Sequence, residues 1–223
     1  MPRWTMVFCL CAASGAGGAP ADELKPATPG AKILYAEDFE RVSPGDPPEA
    51  FMVLNGKFVV KQEEKNRVLE LPGGPLDSMG LLFGAAAKEG ICVSARIRGE
   101  AKGKLMPAFG VGLNGAGGWR LQAAPMRKAL ELVKADAVKA SVPWAWVPDA
   151  WIRFRLQSRR TGEKAWTIEG KAWAEGSAEP AEWPIVLAWS EEPSSGRPSV
   201  WGMPFSDLPI QFDDLQVTAV AGE

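Results

Sequence analysis

Histidine is missing from all 223 residues. That absence removes the commonest general base, the commonest zinc ligand and the Ser-His and Cys-His nucleophile systems together. Tyrosine is almost missing too, with Tyr35 the only one. Any catalysis is therefore left to carboxylates, Lys, Arg or that tyrosine. A basic excess is also lacking: 25 Lys and Arg stand against 27 Asp and Glu, a net charge of -2. The chain thus has no electrostatic footprint for nucleic acid or for an anionic membrane. Cysteine is scarce, with Cys9, Cys11 and Cys92 making up the set.

What is present points to export. Arg3 is the only charge among the first 21 residues, Trp4 to Ala13 form a short apolar run, and Ala19-Pro20-Ala21 supplies an A-x-A-like cleavage site. This pattern predicts a signal peptide over residues 1–21, with the mature protein periplasmic or extracellular. The competing reading is a small-residue tail on a cytoplasmic protein. The run is too short and too glycine-interrupted to span a bilayer, so no membrane association is expected after cleavage. Cys9 and Cys11 would leave with the signal, and Cys92 alone can form no internal disulfide. The fold must then be held by its core, for which a hydrophobic content of 46% is ample. Residues 22–32 read as a solvated lead-in, and 33–220 as one domain.

From Ile33 onward strand signals recur at short intervals. In Ile91 to Arg98, Ile91, Val93, Ala95 and Ile97 share one face, and Cys92, Ser94, Arg96 and Arg98 the other. Ile152, Phe154 and Leu156 lie opposite Trp151, Arg153 and Arg155 in the same way. This is the period of half-buried strands. Asn55-Gly56, between Phe51–Leu54 and Lys57–Val60, predicts a hairpin. Glu169-Gly170, between Trp166–Ile168 and Lys171–Trp173, predicts a second. The stretch from Ala123 to Ala140 has helical propensity, yet Leu130 and Leu132 alternate with Glu131 and Val133, which favours strand. Many short strands with frequent turns predict an all-β fold, a two-sheet antiparallel sandwich.

The pattern resembles the concanavalin A-like lectin/glucanase superfamily, LamG-like domains included. Four segments carry the resemblance: Tyr35–Glu40, Gly56–Val60, Asp149–Phe154 and Phe212–Val217. It implies a jelly roll of two curved antiparallel sheets, one face of which often receives sugars. In the laminarinase-type members an Asp of the last strand helps bind a structural calcium, and Asp213 matches that position. The competing reading pairs Asp213 with Lys or Arg. Those enzymes also carry Glu-x-Asp-x-x-Glu on a central strand, the two carboxylates that glycoside hydrolysis requires. That motif is absent from this sequence, where Glu131 to Asp136 has the wrong spacing.

The candidate ligand-binding residues are Trp119, Arg120, Glu131, Trp144 and Trp146. Trp144 and Trp146, two apart, would place both indoles on one face of an extended segment, fit to stack on a sugar, with Arg120 or Glu131 bonding its hydroxyls. The alternative makes that pair a rim cluster closing the core. Trp201 reads as core, and Glu175, Glu179 and Glu182 as a solvated acidic loop. The leading expectation is an exported non-catalytic module that binds carbohydrate or serves as an accessory interaction domain. A carboxylate-dependent enzyme acting on sugars, with Glu131 or Glu169 as its acid, and a structural envelope protein are the alternatives.

Overall fold

The computed structural model describes residues 30–205 and 207–220. The expected signal peptide at 1–21, and 22–29 of the lead-in, lie outside the described residues. In chain order the strands are β1 (Ile33–Glu37), β2 (Met52–Asn55), β3 (Val59–Glu63), β4 (Asn66–Leu71) and β5 (Met79–Leu82). Then come β6 (Ile91–Gly99), β7 (Ala108–Leu113), β8 (Trp119–Ala124), β9 (Ala129–Lys134) and β10 (Ala137–Pro143). The last five are β11 (Ile152–Gly162), β12 (Ala165–Ala174), β13 (Ile185–Trp189), β14 (Ser199–Met203) and β15 (Ile210–Ala219). The described residues contain no α-helix, and one 3-10 turn, Pro125–Arg127, links β8 to β9. The strand reading of 123–140 therefore holds.

The strands form two antiparallel sheets. Sheet I runs β13-β12-β11-β6-β15-β4-β3, with β1 added along the far half of β15. Sheet II runs β10-β9-β8-β7-β14-β5-β2. The first and last strands pair, as terminal strands of sandwiches often do. The all-β, two-sheet architecture is as the sequence predicts.

Alternation builds the core. Val93, Ala95 and Ile97 of β6, Ile152, Phe154 and Leu156 of β11, and Phe212 of β15 point inward from sheet I. Phe109, Val111 and Leu113 of β7, and Leu130 and Leu132 of β9, meet them from sheet II. Phe109 packs edge-on against Phe154 across the interface, with centroids 5.8 Å apart. Aromatic pairs favour this arrangement because a ring's positive edge meets a negative face.

Both predicted hairpins require correction. β2 lies on β5 in sheet II while β3 lies on β4 in sheet I, so Asn55-Gly56 is a corner between sheets. Asn55 secures it, donating from Nδ2 to Asp77 and accepting the Gly56 N–H on Oδ1. Alternation is the same in either sheet, so the local pattern could not reveal the crossing. Glu169-Gly170 is the middle of β12, and that strand turns back to β11 at 162–165. Gly170 is needed there because a Cβ would fall 2.6 Å from Leu121 of the facing sheet. Leu121 fills the gap the glycine leaves. Leu121→Ala should therefore lower the urea midpoint at unchanged m-value, a loss of about 2–5 kcal/mol.

Candidate functional site

The outer face of sheet II sets glycines beside a few large polar and aromatic side chains. Register aligns Glu131 of β9, Gln122 of β8, Gly110 of β7, Trp201 of β14 and Gly80 of β5 in one row across five strands. Arg120, Gly112 and Ser199 form the next row. The Trp201 indole occupies the space the missing side chains leave. A Cβ on Gly80 would fall 2.6 Å from its Cζ3, and one on Gly112 would fall 3.0 Å from its Nε1. Trp201 Nε1 donates to Ser199 Oγ at 2.7 Å, which fixes the ring in the plane of the sheet.

Arg120 stands over that ring, its Cζ 5.1 Å from the centroid. Its Nη1 donates to Ser78 Oγ at 3.0 Å, and its Nη2 reaches Asp136 Oδ1 at 3.4 Å. Asp136 sits at the tip of the β9–β10 hairpin, where Ala135 and Asp136 both have positive φ. Two such residues make a tight turn matched to strand twist. Depressions of about 190 and about 120 Å³ flank the pair, and Ser78, Arg120 and Trp201 line both. Joined by these shared walls, the two make up a trough beside the Trp201 indole.

Glu131, only 3% exposed, lies behind Gln122 and Arg127, which line the smaller depression, in a fixed geometry. Arg127 grips it through Nε and Nη2 at 2.5 and 2.6 Å, and Gln122 Nε2 adds a third donor at 3.0 Å. The hydrogen bond from Arg127 is the largest influence on its carboxyl and, with Gln122, holds it below the usual range despite burial. A carboxylate so stabilised is a poor proton donor at neutral pH. Glu169 extends from sheet I instead, bonded to Gln157 and Arg159. Sheet register thus places Glu131 and Glu169 on opposite outer faces, where they cannot flank one glycosidic bond.

Trp119 borders the larger depression but turns its ring inward, and Trp144 and Trp146 lie elsewhere. Trp119 points into the core, 1% exposed, with Trp189 edge-on at 4.9 Å. Its ring offers no surface for stacking. Trp144 and Trp146 follow Val142 along the inward side of the chain leaving β10 and pack against the core, Trp146 edge-on to Phe109 at 5.9 Å. They close the rim of the core, and the platform arrangement is not formed. Trp201, read as core from the sequence, is the indole on the outer face. Arg120 lines both depressions, and Glu131 lies on the same outer face one row away, bonded to Gln122 and Arg127.

The outer face of sheet I carries charge pairs and two depressions, one of about 420 Å³ beside Asn66, Arg96, Arg98 and Trp151 and one of about 170 Å³ beside Arg153, Arg155 and Trp173. A bulge between Asp213 and Gln216 of β15, with Asp214 at φ 50°, presents two consecutive aspartates to the arginines. Asp213 is 1% exposed and accepts from Arg96 Nη2 at 2.6 Å, Asn66 Nδ2 at 2.8 Å and the Asp214 N–H at 2.7 Å. Burial, the largest influence, pushes its carboxyl up to about 6 against the pull of Arg96 and Asn66. Calcium does not fit here. The ion needs about six to eight oxygens, whereas Asp213 is surrounded by N–H donors and a guanidinium. Among the described residues no group of three or more acidic or cysteine side chains could hold a metal ion.

Glu175 and Glu179 are partly exposed, as the sequence suggested, but both carboxylates are paired. Glu175 accepts from Arg153 at 2.8 Å and pairs with Arg96, and Glu179 bridges Arg155 and Lys171, each at 2.6 Å. Trp183 covers Lys171 at 4.5 Å. The segment from 175 to 183 is thus a strap across sheet I, while Glu182 is exposed.

No protein-family model matches the chain, and no curated protein matches it. Solved structures share its fold. A Bacillus subtilis protein of unknown function with a galectin-like fold is 11% identical, with 86% of this chain and 98% of that one aligned at a TM-score of 0.56. The carbohydrate binding module CBM66 from Bacillus subtilis is 9% identical over 76% of this chain and 96% of that one, at 0.51. The catalytic domain of the glycoside hydrolase family 131 protein from Coprinopsis cinerea is 11% identical over 86% and 98%, at 0.52. At such identities the likeness establishes a shared β-sandwich fold.

Two measurements check this description. Trp119→Ala should cost about 3–5 kcal/mol in chemical denaturation, and Trp201→Ala clearly less, because only the first empties the core. Glu131 contributes stability that is present above its unfolded pKa and lost as pH falls through its depressed folded value. Stability curves of Glu131→Gln and wild type should therefore differ near neutral pH and converge in acid.

Proposed function

We propose that this chain is an exported, non-catalytic β-sandwich of concanavalin A-like, LamG-like type that binds carbohydrate along the outer face of sheet II. One observation carries the reading: Trp201 lies against Gly80 and Gly112 with Arg120 and Gln122 along the same trough. A sugar presents apolar C–H surface to an indole and hydroxyls to charged or amide side chains at its edge, and the row across β9, β8 and β14 offers both. Export rests on the sequence pattern of residues 1–21. Galectin-like and carbohydrate-binding folds among the structural neighbours agree with this use of the sandwich, although fold alone does not assign function.

The enzyme reading has less support. Glu131 is committed to Arg127 and Gln122, and the buried carboxylates of sheet I are engaged by arginine, lysine or amide side chains. Retention in native gels cast with a panel of plant and microbial polysaccharides tests the proposal. At least one glycan should retard the wild type, and Trp201→Ala should abolish the retardation while leaving the circular dichroism unchanged. No retardation by any glycan would instead favour a structural envelope protein.

A further inference from the structure

We infer that the trough's ligand is an acidic glycan, with a uronate carboxylate received by Arg120. This rests on the sugar-binding reading above and names the substrate class.

Arg120 differs from the other arginines of the outer faces in how its charge is met. Arg127 has both oxygens of the buried Glu131. Arg96 has Asp213, Asp214 and Glu175 within reach, and Arg153 has Glu175 and Asp214. Arg155 has Glu179. Arg120 is largely buried, its side chain 17% exposed, yet its single acidic contact is Asp136, whose side chain is 93% exposed at a hairpin tip. Its remaining partner, Ser78 Oγ, is neutral. Burial dominates at Arg120 and leaves the guanidinium less basic than usual. At Arg96 burial acts likewise, but Asp213 and Asp214 outweigh it.

A buried guanidinium with a solvent-screened counter-charge is an incomplete pair. Its planar fork of donors matches a carboxylate in two parallel bonds. A sugar hydroxyl would accept one bond and leave the charge unbalanced. The carboxylate is also the right group for the place, because Arg120 stands over Trp201. A pyranose ring stacked on the free part of that indole would carry its exocyclic carboxylate to the guanidinium. Arg120 thus becomes the specificity-determining residue, and Trp201 the platform.

Affinity electrophoresis of the full chain as it is produced tests this, with gels containing polygalacturonate, alginate, fully methyl-esterified pectin, dextran sulfate or a neutral β-glucan. The expected result is retention by polygalacturonate or alginate, and little by the methyl ester, which keeps the ring but removes the charge. Arg120→Gln should weaken polyuronate binding about tenfold or more, and Arg120→Lys less, since lysine keeps the charge and loses the fork. Urea midpoints near that of the wild type show that both variants are folded. Trp201-dependent binding of neutral glucan or methyl ester, as tight as that of polyuronate, would overturn the acidic assignment and leave the sugar trough standing. Equal binding of dextran sulfate would overturn the carboxylate in favour of charge alone. Silence on every glycan would overturn both readings.

Discussion

Everything in this molecule depends on the interdigitation of two apolar faces, because it commits one side of every strand to the core. A side chain two residues along returns to the same face. Ile97, Phe154 and Phe212 on sheet I and Phe109, Val111 and Leu121 on sheet II are therefore fixed inward. With the inner faces filled, chemistry is confined to the two outer ones. The sandwich solves them differently. Sheet I carries long charged side chains that pair with one another and are partly crossed by the segment from 175 to 183, whereas sheet II sets glycines beside Arg120, Gln122, Glu131 and Trp201.

The charged face of sheet I illustrates how buried charge is tolerated. Arg96, Asp213, Asp214, Arg153 and Glu175 form one connected cluster, and Arg155, Lys171 and Glu179 a second. Desolvating an unpaired ion costs several kcal/mol, and partners offset that only with good geometry and further hydrogen bonds. Asn66 supplies such a bond to Asp213, while elsewhere on the face Gln157 donates to Glu169 and Gln211 accepts from Arg98. The bulge at Asp214 is part of the arrangement, since it brings two successive aspartates to the arginines where an unbroken strand would turn one inward. With its carboxylates engaged in this way, sheet I is arranged for structure.

Much of the fold was legible because alternation is local. β6 and β11 show in the structure the two faces their residues suggest. The sheet to which a strand belongs is not local, which is why Asn55-Gly56 read as a hairpin. The site was legible in part. Arg120 and Glu131 were placed on the correct face by alternation within β8 and β9. Trp201 was not, because it lies on β14, which enters sheet II between β7 and β5, strands that precede it by more than eighty residues. One signal pointed to it: Gly80, Gly110 and Gly112 all recur at alternate positions of strands, and a face that repeatedly lacks side chains needs a large one nearby to cover it or a ligand to lie on it. Trp119 misled because tryptophan type says nothing about which way a strand residue points.

The central claim is that ligand engages sheet II at Trp201 and leaves sheet I untouched. Nitrogen-15 correlation spectra of the folded protein report each indole N–H separately, and titration with the glycan that retards it reads both faces in one experiment. The account predicts movement of the Trp201 indole signal together with backbone amides of β7, β8 and β14. Movement of Trp173 and Trp183 with Trp201 unchanged would contradict it.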